Sequence, residues 1–271
     1  MTGPVELCMC RVARTCGTVD QVTEYDVFSR FYDAVMDDPA PRADRVVGWI
    51  ERYRPDATSV LELGCGTGSI LARLDAFPEL TGVDQSSQML TVARAKVPRA
   101  RLLEGDMKSF SLGERFDVVI CVFDSLNHLL FFGDWESMFD TVHQHLADGG
   151  LFIFDVNTVG ELRRLGEESP WVDDFDGGVA IIDVSYAEDG ESEGISVWDI
   201  RIFEEIGPSQ YALHRERIGE LAVRLSRLRG ALQERFVLLD EQSERGEPPT
   251  DDSIKGHFVY RRRPGTRGFN A

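Results

Sequence analysis

The sequence predicts an α/β fold: a doubly wound, mostly parallel sheet with an antiparallel β insertion late in the chain. Three observations carry this. Between residues 58 and 157, short apolar β-rich runs alternate with helical periodicities, the pattern of strand–helix–strand units in a parallel sheet. The run Val60-Leu61-Glu62-Leu63 stops in Gly64-Cys65-Gly66-Thr67-Gly68, with glycines at alternate positions where the chain leaves a strand. Beyond residue 178 the pattern changes to alternating runs separated by turn sequences, Glu188-Asp189-Gly190 and Gly207-Pro208, as in an antiparallel meander.

Taken in order, residues 1–20 are expected to form a flexible N-terminal arm. Tyr25, Phe28, Phe31 and Tyr32 recur at helical spacing and form an aromatic stripe, which either packs on the domain or closes over a ligand as a lid. The breaker Asp37-Asp38-Pro39-Ala40-Pro41 separates it from a second helix with apolar face Val46, Val47, Ile50 and Tyr53, stopped by Pro55. A helix over 69–74 is expected after the glycine turn, then a strand over 80–84 and a helix over 86–96 with Ser86 as its N-cap. Strands follow at 100–104 and 116–123. Asp134 is read as the cap of a helix whose Trp135, Met138, Phe139, Val142 and Leu146 share one face; Gly149-Gly150 ends it before a strand over 151–154. The meander is expected to have three strands, at 179–186, 195–205 and 210–217. A helix over 220–232 and strands over 235–239 and 256–261 complete the chain. The expected organisation is a sheet domain of residues 21–158 and 219–264, with the insertion 159–218 as a hood.

Bulk properties exclude some functions. Across 271 residues, 47 acidic against 29 basic side chains leave a formal charge of −18. That is the wrong sign for nucleic acid or an anionic membrane, both of which are bound through dense positive charge. Five cysteines at irregular spacing do not form a disulfide framework. Cys65 and Cys121 lie in apolar strand contexts as small buried thiols, and Cys8, Cys10 and Cys16 lack a nearby fourth ligand for a metal. Arg11 and Arg14 break any apolar core near the start, so neither a signal peptide nor a membrane span is expected there, and a reducing cytoplasm fits.

Ligand-type residues follow three successive strands. The first set is the glycine turn, where a Cβ would obstruct either the backbone angles or a ligand. The second is Asp84, twenty residues after Gly64, a carboxylate placed to accept from ribose hydroxyls. The third is Gly105-Asp106-Met107, where Asp106 can accept from an adenine amino group and Met107 can cover the ring. No lysine follows the glycines, which excludes a P-loop.

Glu62-Leu63-Gly64-Cys65-Gly66-Thr67-Gly68, Gly82-Val83-Asp84-Gln85-Ser86-Ser87-Gln88-Met89-Leu90, Gly105-Asp106-Met107 and Phe116-Asp117-Val118-Val119 together resemble the ordered motifs of class I S-adenosylmethionine-dependent methyltransferases. The resemblance covers about residues 22–160 and implies a Rossmann-like, seven-stranded sheet with S-adenosylmethionine as cofactor. It implies that Gly64, Gly66 and Gly68 approach the methionine part and ribose, that Asp84 binds the ribose hydroxyls, that Met89 and Met107 flank the adenine with Asp106 reaching its amino group, and that Glu62, Cys65, Gln85, Gly105 and Phe123 also belong to the cofactor site.

Phe123-Asp124-Ser125-Leu126-Asn127-His128-Leu129 and Phe154-Asp155-Val156-Asn157-Thr158 are similar to a bacterial branch acting on small molecules. In that branch the aromatic N-terminal helix, here bearing Tyr25 and Tyr32, covers the cofactor, and the insertion forms a hood over the acceptor. Amino-sugar N,N-dimethyltransferases of this branch carry a histidine at the place of His128, but their Gly-Arg-Gly-type segment is replaced here by Asp37-Asp38-Pro39-Ala40.

The resemblance thus implies methyl transfer to a small-molecule nitrogen, with a hydroxyl or carboxylate oxygen as the alternative. An ordinary pKa of about 6.5 makes His128 the first candidate base. His214, on the third hood strand, is the second. Asp124, Asn127 and Trp198 are the expected acceptor-binding residues, with no metal; the rival set for Mg²⁺ is Asp124, Asp155 and Asn157. A non-catalytic cofactor-binding module is a further alternative. A nucleobase acceptor is disfavoured, because Asp124-Ser125-Leu126-Asn127 stands where such enzymes have Asn/Asp-Pro-Pro-aromatic. The expected partners are a small-molecule acceptor and, at most, a second copy in a homodimer.

Overall fold

The computed structural model describes residue 25 and residues 27–36, 38–188 and 193–264. The expected arm at 1–20, with Cys8, Cys10 and Cys16, lies outside these residues.

Seven strands form the main sheet: β1 (Ser59–Leu63), β2 (Glu79–Asp84), β3 (Arg101–Glu104), β4 (Phe116–Cys121), β5 (Leu146–Asn157), β10 (Phe236–Gln242) and β11 (Lys255–Arg262). Their order is β10-β11-β5-β4-β1-β2-β3. β3 to β5 run parallel through β1, while β11 pairs antiparallel with both β5 and β10. This is the seven-stranded sheet that the resemblance implies, and the order reverses between β1 and β4. In such sheets the crevice outside the carboxyl ends at the reversal is where ligands bind.

Strand periodicity divides the core into two layers. Val60, Val118, Ile120, Leu151 and Ile153 face one side with helix α2 (Ala40–Tyr53), while Leu61, Leu63, Val119, Cys121, Phe152 and Phe154 face the other with helices α4 (Phe132–His145) and α6 (Leu225–Leu232). These buried alternating residues are the main source of cohesion, each large aliphatic or aromatic side chain contributing roughly 1.5–3 kcal/mol by burial. Helix α3 (Ser87–Lys96) starts as expected, with the Ser86 hydroxyl accepting from the Met89 amide at 3.2 Å.

Several expectations are corrected. The helix over 69–74 is only a 3₁₀ turn, Leu71–Arg73, whose amides bond three residues back, Arg73 to Ile70 and Leu74 to Leu71. Asp134 does not cap α4: Phe131 occupies the cap position without a side-chain bond, and Asp134 sits in the first turn, accepting from Lys108 Nζ at 3.2 Å. The helix stops at His145, and β5 begins at Leu146, five residues before the expected strand. Helix α5 (Val159–Glu168), N-capped by Thr158, was not anticipated.

The insertion has four strands, not three: β6 (Trp171–Phe175), β7 (Gly178–Glu188), β8 (Glu193–Gly207) and β9 (Gln210–Val223). β9 continues through the region expected to begin a helix, because pairing with β8 persists to Glu193↔Val223 and delays α6 to Leu225. The aromatic segment, a 3₁₀ turn at Phe28–Arg30 and the short helix α1 (Tyr32–Val35), lies against this second sheet. Phe28 and Phe31 are buried with Ala180, Ile182, Ile200 and Ile202.

Candidate active site

The glycine turn sits at the carboxyl end of β1 on the sheet's reversal, and its three glycines serve different ends. Gly64, Gly66 and Gly68 have φ of +66°, +50° and +75°, the left-handed region that L side chains resist. A Cβ on Gly64 would lie 2.8 Å from the Ser125 side chain, and one on Gly68 would lie 3.1 Å from Val97 Cγ2. A Cβ on Gly66 would meet no atom within 4 Å. Gly64 and Gly68 therefore answer to packing within the protein, whereas Gly66 leaves its backbone open to the cleft.

Asp84 ties this turn to the next helix: its Oδ2 accepts from the Gly66 amide at 2.7 Å and its Oδ1 from the Ser86 amide at 2.9 Å. Burial raises the Asp84 pKa, and the amide bonds offset this only in part. Beside it, Glu62 is 3% exposed, and its Oε2 has no hydrogen-bond partner among the described residues. Burial, then the charge of Asp84, holds the Glu62 carboxyl well above its usual range. An orphaned buried carboxylate oxygen is costly unless a ligand supplies a donor or cation.

The cleft has two lobes. One, of about 410 Å³, is lined by Glu62, Cys65, Thr67 and Lys96. The other, of about 280 Å³, is lined by Tyr25, Asp84, Gln85, Met89, Gly105, Met107 and His128. Tyr32, Gly64, Gly66, Phe123 and Ser125 belong to both and form the wall between them. These volumes suit a ligand with two unlike parts.

The aromatic segment divides between the second sheet and the cleft. Phe28 and Phe31 pack on the hood, while Tyr25 and Tyr32 line the cleft. Asp33 fastens α1 across the glycine turn: its carboxylate accepts from Thr67 Oγ1 at 2.6 Å, Ser69 Oγ at 3.0 Å and Lys96 Nζ at 2.5 Å.

His128 closes the far lobe. Its Nδ1 lies 3.0 Å from the Gly219 carbonyl, which can only accept, so Nδ1 carries the proton and Nε2 is the acceptor. The Tyr25 hydroxyl donates to that Nε2 at 2.9 Å. Burial lowers the His128 pKa below 6.5, with Asp124 pulling the other way, so the ring is neutral near neutral pH.

Behind His128 lies a buried polar network. Lys255 Nζ donates to Asp124 Oδ1 and, at 2.7 Å, to Asn157 Oδ1; Asn157 Nδ2 donates to Glu220 Oε2 at 2.8 Å. Burial depresses the Lys255 ammonium, but the charges of Asp124 and Asp155 outweigh it and raise the pKa. Burial raises the Asp124 pKa, but Lys255 and His128 more than reverse this, so it falls below 3.8. Burial, reinforced by Asp124, pushes Glu220 up to about 8. Asp124, His128 and Glu220 bring ligand atoms within 4.8 Å of one another, a spacing that could hold a cation, but each already has a protein partner.

Other expected site residues lie outside the lobes. Asp106 turns aside, accepting from the Lys108 amide at 3.0 Å with Lys108 Nζ 3.5 Å away, although Gly105 and Met107 line the cleft. Asn127 is fully buried and braces the loop: its Nδ2 donates to the Asn157 and Leu221 carbonyls, and its Oδ1 accepts from the Asn157 amide. Trp198 packs edge-on against Trp171 at 5.6 Å within the hood. His214 pairs with Glu204 at 2.8 Å and is not brought together with His128. Asp155 and Asn157 face different partners, so the rival Mg²⁺ set does not converge.

Sequence reasoning missed Ser125, Glu220 and Lys255. A lysine at the head of the strand that carries Phe258-Val259-Tyr260 was the one available signal for Lys255. Glu220 was hidden by the misplaced helix.

Residues 60–150 match the family model described as "Methyltransferase domain". The chain is similar to YqeM of Bacillus subtilis, named as a methyltransferase, with 33% identity over 184 residues, 66% of this chain and 72% of that protein. It is also similar to the dTDP-3-amino-3,6-dideoxy-alpha-D-glucopyranose N,N-dimethyltransferase of Streptomyces fradiae, 36% identical over 107 residues. That match spans 39% of this chain and 42% of the relative, so the chain spans less than half the length of that protein. In structure it resembles an S-adenosylmethionine-dependent methyltransferase from Clostridium acetobutylicum, with a TM-score of 0.77 at 22% identity, covering 88% of this chain and 97% of the other.

Proposed function

Because the chain belongs to the class I S-adenosylmethionine-dependent methyltransferase family, we propose that it binds S-adenosylmethionine in the two-lobed cleft and methylates a nitrogen of a small-molecule amine. The residues fit the cofactor: the orphaned Glu62 Oε2 offers an acceptor for an amino group, and Gly66 leaves room where any side chain would intrude. Asp84 and Gln85 would hold the ribose, and Met89 and Met107 would enclose the adenine, with Phe123 on the wall shared by the two lobes. When bound, the cofactor supplies a methyl group already activated on a sulfonium.

The protein's own part is orientation and proton handling. An amine attacks only when its nitrogen is unprotonated. His128 is neutral and its Nε2 accepts from the Tyr25 hydroxyl in the second lobe, so the amine proton would pass through that hydroxyl, which gives its own proton to Nε2 as it takes one from the amine; Gly219 fixes the tautomer. Positioning in such sites reaches effective molarities of roughly 10⁵–10⁸ M, so most of the acceleration is geometric. The observation that carries the proposal is this neutral imidazole in the same cleft as Gly66 and Asp84. The Streptomyces fradiae relative, an amino-sugar N,N-dimethyltransferase by name, supports nitrogen as the acceptor atom.

We extend the proposal to a cytoplasmic enzyme acting on a small molecule, without nucleic-acid or membrane partners. The charge of −18 supports this, and among the described residues no helix is long and apolar enough to cross a membrane. The test is transfer of an isotopically labelled methyl group to matched panels of small amines, alcohols and carboxylates. Label in N-methyl products is expected, and label confined to O-methyl products would overturn the nitrogen assignment.

A further inference from the structure

The loop that carries Asp124 and His128 is held in a conformation its own residues do not favour. Phe123 and Asp124 have φ of +59° and +51°, two consecutive non-glycine residues in the left-handed region. Such strain persists only where the surroundings impose it. Here the agent is Asp155, 1% exposed near the end of β5: its Oδ1 accepts from the Asp124 amide at 2.7 Å and its Oδ2 from the Phe123 amide at 3.3 Å. Successive amides converging on one anion make an anion-binding concavity, and a side chain of the protein fills it. Behind Asp155 stand His257, with Nδ1 3.8 Å from Oδ2, and Arg45, with Nη1 3.1 Å from His257 Nε2. The guanidinium of Arg42 covers the Phe123 ring at 3.9 Å.

What this clamp fixes is the acceptor side of the cleft. Phe123 forms part of the wall between the lobes, and Asp124 meets Lys255 beside His128. We propose that Asp155 is a positioning residue for methyl transfer: by gripping the two left-handed amides it holds the Phe123 ring at the cleft and the Asp124 carboxylate beside His128, without itself touching the acceptor. The proposal rests on the reading of His128 as the base.

The charged and titratable groups around His128 are Asp124 on its own loop, Asp84 after β2, Glu220 on β9, Lys255 on β11 and Tyr25 on the lid. Only Asp124 is held directly by Asp155 among these. Asp155→Asn keeps size and one acceptor but turns an N–H₂ group toward an amide N–H.

The test uses the full chain in three readouts: kcat and KM with an accepted amine, S-adenosylmethionine Kd by calorimetry, and the His128 titration by NMR, with its resonance identified from His128→Gln. Asp155→Asn is expected to lower kcat by about 10–100-fold, the scale on which a displacement of about 1 Å costs rate, with cofactor Kd changed less than about threefold. The His128 midpoint is expected to move down as the Asp124 charge withdraws, while the exposed-residue control Asp173→Asn leaves it in place. Asp155→Ser, which keeps a shorter acceptor, replaces the asparagine variant if that one does not fold. An unmoved His128 midpoint, or a parallel loss of cofactor binding and rate, overturns the proposal. The titration reads the clamp even if no amine is methylated, so failure of the nitrogen reading remains distinguishable.

Discussion

The two sides of the cleft are built differently. The side formed by the glycine turn, Asp84 and Met107 uses strand ends and backbone amides, each supplied by a short continuous stretch. The side around His128 is assembled from a lid tyrosine, a loop after β4, the end of β9 and the start of β11, as in the contacts of His128 with Tyr25 and Gly219 and of Asp124 with Lys255. Local construction suits a ligand common to a whole family. On the proposed reading, long-range construction lets the acceptor half change without disturbing the donor half.

The largest expected effect separates the two sides. His128→Ala should lower kcat/KM by about 10²–10⁴-fold, the usual contribution of a general base, with little change in cofactor Kd. Because burial lowers the His128 pKa, the acid limb of wild-type kcat/KM should lie below pH 6.5, activity falling as His128 gains its proton. Once the amine's own ionisation is accounted for, absence of an enzyme limb below 6.5 would assign the base elsewhere.

Gly66→Ala probes the other side. Its Cβ would meet open space inside the protein but carry a left-handed φ of +50°. Folding stability should fall by about 1–2 kcal/mol from the backbone alone. Cofactor affinity should fall by about 10–100-fold as the methyl group enters the ligand's space, readable by calorimetry. Equal binding by the variant would separate the glycine turn from the ligand.

Glu220→Gln should act on stability more than on binding. The folded pKa of about 8 lies above the ordinary 4.5, so the folded state holds the extra proton between these values. Stability contributed by this group is full below about pH 4.5 and is lost as pH rises through about 8; the glutamine variant should flatten that decline in melting temperature from pH 5 to 9. A slope equal to wild type would show that Glu220 is ionised in the folded protein.

The smallest effects concern the lid and the outer hood. Asp33→Ala removes a partly exposed latch to Lys96, and exposed pairs contribute about 0–1 kcal/mol, so cofactor affinity should drop no more than about fivefold. His214→Gln, paired with Glu204, should leave kcat unchanged. A large loss there would draw the hood's outer end into the chemistry.

Much of the sheet was legible because its periods are local. Val60 and Leu61, or Ile153 and Phe154, alternate between two core layers, and that alternation is visible in the residues themselves. The hood was read less well. Ile218 to Val223 continue β9 because β8 lies beside them, and no window of sequence contains that partner. In the same way Lys255 meets Asp124 because β11 returns antiparallel along β5, placing Lys255 opposite Asn157. His128 was found by motif, whereas the tautomer that gives it an acceptor nitrogen depends on Gly219, ninety-one residues away.

The most direct test measures cofactor Kd and methyl-transfer rate side by side in wild type and His128→Ala, with an amine that the wild type accepts. A preserved Kd with a rate lower by about 10²–10⁴-fold is the predicted result. An unchanged rate, or loss of cofactor binding together with the rate, would contradict the division of the cleft into a donor side and a proton-handling acceptor side.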